Sequence, residues 1–157
     1  MTILDALSGS KLVEFGRCLN LVWIWFAKED RIYCLHSQCL LRVFHKETMI
    51  ASSNDVFVCK DESNEEWDWS ESPGESLFDD EVRNAVLPCL PLCVTGVEQS
   101  KWNDLTILLE NGYWIEIRII SLSEGESWRF FERGNYQAMT YVVYGKEKEI
   151  DGFEDVR

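Results

Sequence analysis

The stretch NDLTILLENGYWIEIRII, residues 103–120, constrains the fold more than any other part of the sequence. It places Asn111 and Gly112 between two apolar runs, and both residues accept the positive φ angles that a type I′ turn requires. The dipeptide therefore predicts a tight β-hairpin with a fixed register. In that register, Leu109 faces Trp114 and Ile107 faces Glu116.

The same register predicts which side chains of the hairpin face the core, because side chains alternate between the two faces of a strand. The predicted core face holds Thr106, Leu108, Tyr113, Ile115, Ile117 and Ile119. Trp114, Glu116 and Arg118 fall on the opposite face, where partial solvent contact is tolerable.

Several other segments are rich in β-branched and aromatic residues and predict further strands. The polar residues 28–31, KEDR, suit a hairpin connection between two of them. In residues 32–44 the alternation predicts one strand with a more apolar and a more polar face. The strand candidates are LVEFG (12–16), LVWIWFA (21–27), IYCLHSQCLLRVF (32–44), TMIASS (48–53), DVFVC (55–59), SWRFF (127–131) and AMTYVVYG (138–145).

Helix signals occur in two places. Residues 3–8 followed by Gly9 predict a short N-terminal helical turn. Ser76, with Asp79 three positions later, predicts the N-terminus of a second helix that ends near Pro88. Its predicted buried stripe is Phe78, Val82, Ala85 and Val86.

These elements predict a single domain over residues 1–157 with a β-dominant α+β fold. The architecture expected is a mostly antiparallel sheet, a meander with the Asn-Gly hairpin, with one central helix and a short N-terminal helix. Residues 146–157, KEKEIDGFEDVR, are expected to form a polar C-terminal tail.

Negative charge is concentrated in one segment. Residues 61–81 hold ten of the 28 acidic residues and no lysine or arginine. The rest of the chain has 18 acidic and 15 basic residues and so a charge of only −3, against −13 for the whole. Such a surface repels nucleic acid and anionic membranes and attracts a basic protein.

The acidic segment divides into a loop and a helix start. Pro73 and Gly74 predict a loop over residues 61–75, whereas the acids at 79–81 suit the first turns of the helix, whose dipole favours anions. The seven loop acids lack such an explanation. With Trp67 and Trp69 as apolar anchors, they form the predicted partner-binding site: Asp61, Glu62, Glu65, Glu66, Trp67, Asp68, Trp69, Glu71 and Glu75.

Signals for catalysis and cofactors are weak. The polar strand face with His36, Gln38 and Arg42 is the alternative site, suited to a small hydrolase or a ligand-binding domain. The loop carboxylates should stay hydrated and ionised, which does not suit a general acid. The cysteine spacings, as in CLPLC at 89–93, do not match a zinc ribbon, so we expect no metal and no cofactor. Because the catalytic signals are also weak, we expect no enzymatic activity.

The N-terminus lacks a basic leader followed by an apolar run, and no stretch has the length of a membrane span. We therefore expect a cytoplasmic protein with six reduced cysteines. A monomer or weak dimer is expected.

Five segments resemble a group of small acidic bacterial proteins similar to immunity proteins of polymorphic toxin systems, including contact-dependent growth inhibition. They are LVEFGRCLNLVWIWF, YCLHSQCLLRV, WDW at 67–69, LTILLENGYWIEI and ESWRFFERGN. The resemblance implies a cytoplasmic inhibitor that binds one cognate toxin domain, and many such toxins are basic nucleases. It implies no catalytic residues. A non-catalytic adaptor subunit is a further alternative.

Overall fold

Residues with β-branched and aromatic side chains form most of the regular structure, as their preference for pleated, half-buried surfaces predicts. The computed structural model describes residues 2–122, 125–135, 139–145 and 147–151. These residues form one antiparallel sheet and one 13-residue helix, which confirms the predicted β-dominant α+β fold. The strands are β1 Lys11–Cys18, β2 Leu21–Lys28, β3 Arg31–Ser37, β4 Leu40–His45, β5 Thr48–Ser52, β6 Leu92–Gln99, β7 Leu105–Leu109, β8 Tyr113–Arg118, β9 Trp128–Glu132, β10 Thr140–Tyr144 and β11 Glu147–Asp151.

The sheet curls on itself. Its strand order is β11-β10-β9-β3-β2-β1-β6-β7-β8-β4-β5, so β3 and β4 stand six places apart. In a flat sheet six strand spacings would separate them by about 29 Å. Only Gln38 and Cys39 connect these strands, and such a link spans about 11 Å at most. The sheet must therefore bend until β3 and β4 approach each other, which encloses one of its faces.

The enclosed face carries the hydrophobic core. Alternate residues of β2 and β3, such as Ile24 and Leu35, are fully buried, as are Ile107 and Ile117 from the other half of the sheet. One continuous cluster joins these residues to the helix. Both halves of the sheet therefore share a single core.

The helix, α1, covers residues 77–89 and begins where the sequence predicted. The hydroxyl of Ser76 accepts a hydrogen bond from the backbone N–H of Asp79, whose carboxylate accepts one from the N–H of Ser76. Its stripe Phe78, Val82 and Val86 is buried. The helix is α-helical at Leu77–Glu81, π-helical at Val82–Val86 and a 3-10 turn at Leu87–Cys89, so it continues past Pro88. A 3-10 helix at Ile3–Leu7 provides the predicted N-terminal turn.

The hairpin at Asn111 and Gly112 forms, but its predicted register is wrong by one residue. Leu108 faces Trp114 and Ile107 faces Ile115, because Glu110 joins the turn and lengthens it to three residues. A one-residue slip exchanges the two faces of a strand. On β7 the buried residues are therefore Leu105, Ile107 and Leu109, whereas Thr106 and Leu108 point outward. On β8 Ile115 and Ile117 are buried as predicted, and Tyr113 is only half-buried.

Three other segments differ from their predicted structure. Residues 32–44 alternate as predicted but form two strands that do not pair with each other. The predicted strand DVFVC is instead a 3-10 helix at Ser53–Phe57 that buries Val56. Within the predicted polar tail, Glu147–Asp151 pairs with β10 as an edge strand. Lys146 and residues 152–157 lie outside the described residues.

Gly16 and the Trp23 ring approach each other closely on the outer face of the sheet. Gly16 of β1 lies beneath the Trp23 ring, and a Cβ at this position would overlap that ring. We expect Gly16→Ala to lower the free energy of unfolding by about 1–3 kcal/mol, since overpacking forces side chains out of position. Urea denaturation measures the change.

Gly96→Ala is the matched control for this substitution. Gly96 lies in β6, and an added Cβ would meet only the flexible Leu108 side chain at 3.3 Å. This variant should change stability by no more than about 0.5 kcal/mol. Equal losses from both substitutions would refute the proposed packing of Trp23 on Gly16.

Candidate functional site

The acidic loop, residues 61–75, is held at its base and contains no helix or strand. Cys59 and Ser76 pair as an isolated bridge across its two ends. The backbone N–H of Leu77 also donates to the carbonyl of Val58 at 2.7 Å. The loop therefore leaves the fold and returns to it at one point, immediately before α1.

All seven carboxylates of the loop are exposed. Within the described residues, none of the seven forms an ion pair. Hydrogen bonds from the side chain and backbone of Ser63 hold the pKa of Asp61 below its usual range, and Ser70 does the same for Asp68. The loop thus presents uncompensated negative charge to solvent. The seven are Asp61, Glu62, Glu65, Glu66, Asp68, Glu71 and Glu75.

The two loop tryptophans are half-buried and differ in their surroundings. Trp69 packs against the hydrophobic core and meets the Phe57 ring edge-on at a centroid distance of 4.8 Å. It therefore anchors the loop to the fold. The indole nitrogen of Trp67 is buried and has no hydrogen-bond partner among the described residues. An unsatisfied buried N–H of this kind is uncommon in folded proteins.

Apolar side chains beside the loop were not part of the predicted site. Phe57 and Val58 are 49% and 42% exposed, and Leu19 in the turn between β1 and β2 is 52% exposed. Phe57 was predicted to lie in a strand and Leu19 is distant in sequence, so no local pattern could identify them. The candidate surface therefore combines the seven carboxylates with exposed apolar groups.

A cavity of about 290 Å³ separates the acidic loop from the turn between β1 and β2. It opens beside Trp69 and Leu19, so it belongs to the candidate surface. Its lining residues are Arg17, Cys18, Leu19, Trp69, Ser70, Pro73, Gly74 and Asp79.

The three acids at the start of α1 have structural partners. The guanidinium of Arg17 donates two hydrogen bonds of 2.7 Å to the carboxylate of Asp79. Burial acts to raise the pKa of Asp79, but hydrogen bonds from Arg17 and Ser76 hold it below its usual range. Asp80 lies 3.6 Å from both Lys60 and Arg83. Asp79 therefore stabilises the fold, and the two bases compensate the charge of Asp80.

Glu81 is the third of these acids and has an unusual environment. Burial, together with the neighbouring Asp55 carboxyl group, raises its pKa from 4.5 to about 8. The N–H of Ser52 donates to its carboxyl group at 3.2 Å. Glu81 is therefore largely protonated at neutral pH.

The Glu81 carboxyl group should make stability depend on pH. The folded state holds this proton more tightly than the unfolded chain, so the stabilisation is full below pH 4.5 and is lost as the pH rises through about 8. Solvent screens this partly exposed group, so we expect a loss of about 1 kcal/mol, or roughly 2–4 °C in melting temperature, between about pH 6.5 and 8.5.

Glu81→Gln should flatten this decline, and Glu75→Gln in the exposed loop should leave it unchanged. His36 has a lowered pKa, so its titration in the unfolded chain raises stability with increasing pH and cannot produce this decline. Differential scanning calorimetry across the range measures the effect. A decline that persists in Glu81→Gln would contradict the assignment.

The alternative polar site is not assembled as predicted. His36 lies on β3, where its ring meets Phe131 edge-on at 5.0 Å, and burial and the nearby Arg129 lower its pKa. Arg42 lies on β4, which does not pair with β3, and forms an ion pair with Glu116. Gln38 is exposed in the connection between these strands. Each residue therefore has its own local role.

A buried charge network on β8 was not predicted. Glu116 is only 3% exposed and lies between Arg42 and Arg118, and Arg118 in turn donates to Asp104 at 3.1 Å. Alternation placed Glu116 on the face of β8 opposite Ile115 and Ile117, but the partial solvent contact expected for it is wrong. The burial of Glu116 follows from pairing with β4, which is distant in sequence, so no local signal reveals it.

No protein-family model, curated protein or solved structure matches the chain. The likeness to immunity proteins therefore stays a prediction. Among the described residues, no group of three or more His, Cys, Asp or Glu side chains could hold a metal ion. In the part of the chain that the structure describes, no helix is long and apolar enough to cross a membrane.

Proposed function

We propose that the protein is an immunity protein that binds and blocks a cationic, nuclease-type toxin domain through its acidic loop. The observation that carries this proposal is the set of seven exposed loop carboxylates without ion-pair partners among the described residues. Acidic residues that stabilise the fold have ion-pair partners, as Asp79 and Asp80 do. Uncompensated charge on one surface attracts and orients an oppositely charged protein.

The apolar groups beside the loop support a protein partner over a small ion. Binding energy at protein interfaces is concentrated in aromatic and apolar residues surrounded by polar ones. Trp69, Phe57 and Val58 provide such a centre beside the carboxylates.

The protein acts by steric and electrostatic blocking and not by catalysis, and it functions as a monomer or weak dimer. The charge repels nucleic acid and anionic membranes, which leaves a basic protein as the partner. The six free cysteines suit a reducing compartment, so we place the protein in the cytoplasm.

Growth rescue tests the proposed function. The candidate toxin is the basic C-terminal domain of a large secreted protein, if the adjacent upstream open reading frame encodes one. Expression of that domain alone should stop growth, and co-expression of the present protein should restore it and yield a complex on co-purification. A toxic domain that neither binds nor is neutralised would reject the proposal for that pair.

A further inference from the structure

The cavity beside the acidic loop is closed to charged ligands by an internal ion pair. Arg17 donates to Asp79 through two nitrogens at 2.7 Å, and its third nitrogen donates to the carbonyl of Leu19 at 2.9 Å. Asp79 also accepts from the N–H of Ser76. The two charged groups in the lining are therefore paired with each other, and their charges cancel.

The other walls of the cavity are largely apolar. Leu19, Trp69 and Pro73 line it, and Leu19 is exposed although it has no role in the core. Sites for cofactors and drug-sized ligands usually range from about 300 to 1,000 Å³, and this cavity of about 290 Å³ lies at the lower end of that range. Its size and lining suit a single large apolar side chain.

The acidic loop supplies carboxylates beside the cavity, whereas Arg83 donates to the carbonyl of Gly74 at 3.0 Å. Asp68 and Glu71 flank the lining residues Trp69 and Ser70 in sequence, and Glu75 follows Gly74. All three carboxylates are exposed and have no ion-pair partner among the described residues. The segment that enters the cavity must therefore bring positive charge to the rim.

We propose that the cavity receives one apolar or aromatic side chain of the partner, carried on a segment with lysine or arginine on both sides. The inference rests on the proposed function and specifies how the same surface recognises its partner. The apolar side chain displaces water from Leu19, Trp69 and Pro73, while the flanking cations pair with Asp68, Glu71 and Glu75. Discrimination then requires both an apolar centre and cationic neighbours.

Two synthetic peptides test this inference without the toxin. The probes are Lys-Arg-Phe-Arg-Lys and Lys-Arg-Ser-Arg-Lys, which have equal charge. Cys18 is exposed and lines the cavity, so its alkylation by iodoacetamide, followed by peptide mapping, reports occupancy. The phenylalanine peptide should protect Cys18 at about tenfold lower concentration than the serine peptide, because burial of an aromatic ring is favourable.

Leu19→Asn is the informative variant. Leu19 has a φ angle of 53°, which asparagine tolerates better than leucine, so the substitution removes an apolar wall without straining the turn. It should abolish the preference for phenylalanine, so that the two peptides protect Cys18 at the same concentration. Amide substitution of the rim carboxylates should instead weaken both peptides equally.

Equal protection by the two peptides, or no protection by either, would overturn the inference. So would a preference that survives Leu19→Asn. Growth rescue separates this failure from that of the proposed function. Rescue without peptide discrimination rejects only the cavity assignment, whereas discrimination without rescue rejects toxin inhibition.

Discussion

Conversion of Glu65, Glu66, Asp68 and Glu71 to their amides should slow association with the toxin domain by about ten- to a hundredfold at low ionic strength. The four side chains are exposed and lack ion-pair partners within the described residues, so their charges act on the approaching partner and not on the fold. Asp68→Asn keeps a side-chain oxygen that can accept from Ser70, so the turn should survive. Stopped-flow kinetics at low and high salt measure the rate.

The salt dependence provides a second result from the same experiment. Added salt screens exposed charges, so the wild-type association rate should fall steeply with ionic strength and the variant rate should change little. At high salt the two rates should converge.

A second set of four substitutions, the control quartet, distinguishes the effect of a localised acidic surface on association from the effect of net charge. Glu29, Asp30, Glu47 and Glu98 are exposed acids outside the loop, and their amide substitution changes the net charge equally. This variant should slow association by no more than about threefold, because the long-range field depends on distance from the docking surface. Equal slowing by the two quartets would refute the assignment of the loop.

Trp128→Ala should lower the free energy of unfolding by about 3–5 kcal/mol, the largest stability effect that we expect. The Trp128 side chain is fully buried in β9 and stacks on Tyr141 at a centroid distance of 5.5 Å. Its indole N–H donates to the carbonyl of Asn103 at 3.0 Å and so ties β9 to the turn between β6 and β7. The substitution removes both the ring and this donor. Urea denaturation measures the loss.

Trp102→Ala is the matched control, since Trp102 lies in the same turn as Asn103 but is 63% exposed. It should change stability by no more than about 0.5 kcal/mol. Trp128→Phe should retain part of the packing and lose the hydrogen bond, and so fall between the two. A small effect of Trp128→Ala would contradict the packing of β9 in the core.

The hairpin shows what local chemistry could and could not predict. Asn111 and Gly112 have φ angles of 60° and 79°, the positive values that a tight turn requires of these positions. The register was nevertheless wrong, because it depends on burial of Leu109 in a core built from distant strands. Alternation likewise predicted the faces of residues 32–44 but not the break at Gln38 and Cys39.

The candidate site also has one feature that the sequence could predict and one that it could not. Exposure of the loop acids was predictable, since seven charges without nearby bases cannot be buried. The cavity was not, because its walls meet only in the folded chain. Arg17 and Asp79 are 62 positions apart in sequence, and their ion pair brings the turn with Leu19 to the loop with Trp69.

Carboxyl footprinting shows whether the partner docks on the acidic loop. Carbodiimide activation with glycine ethyl ester labels exposed carboxylates, and the seven loop acids are all exposed. Binding of the toxin domain should reduce labelling at Asp68, Glu71 and Glu75 and leave the exposed Glu29 and Glu47 unchanged. Loss of label at Glu29 or Glu47 with the loop still fully labelled would show that the partner docks elsewhere.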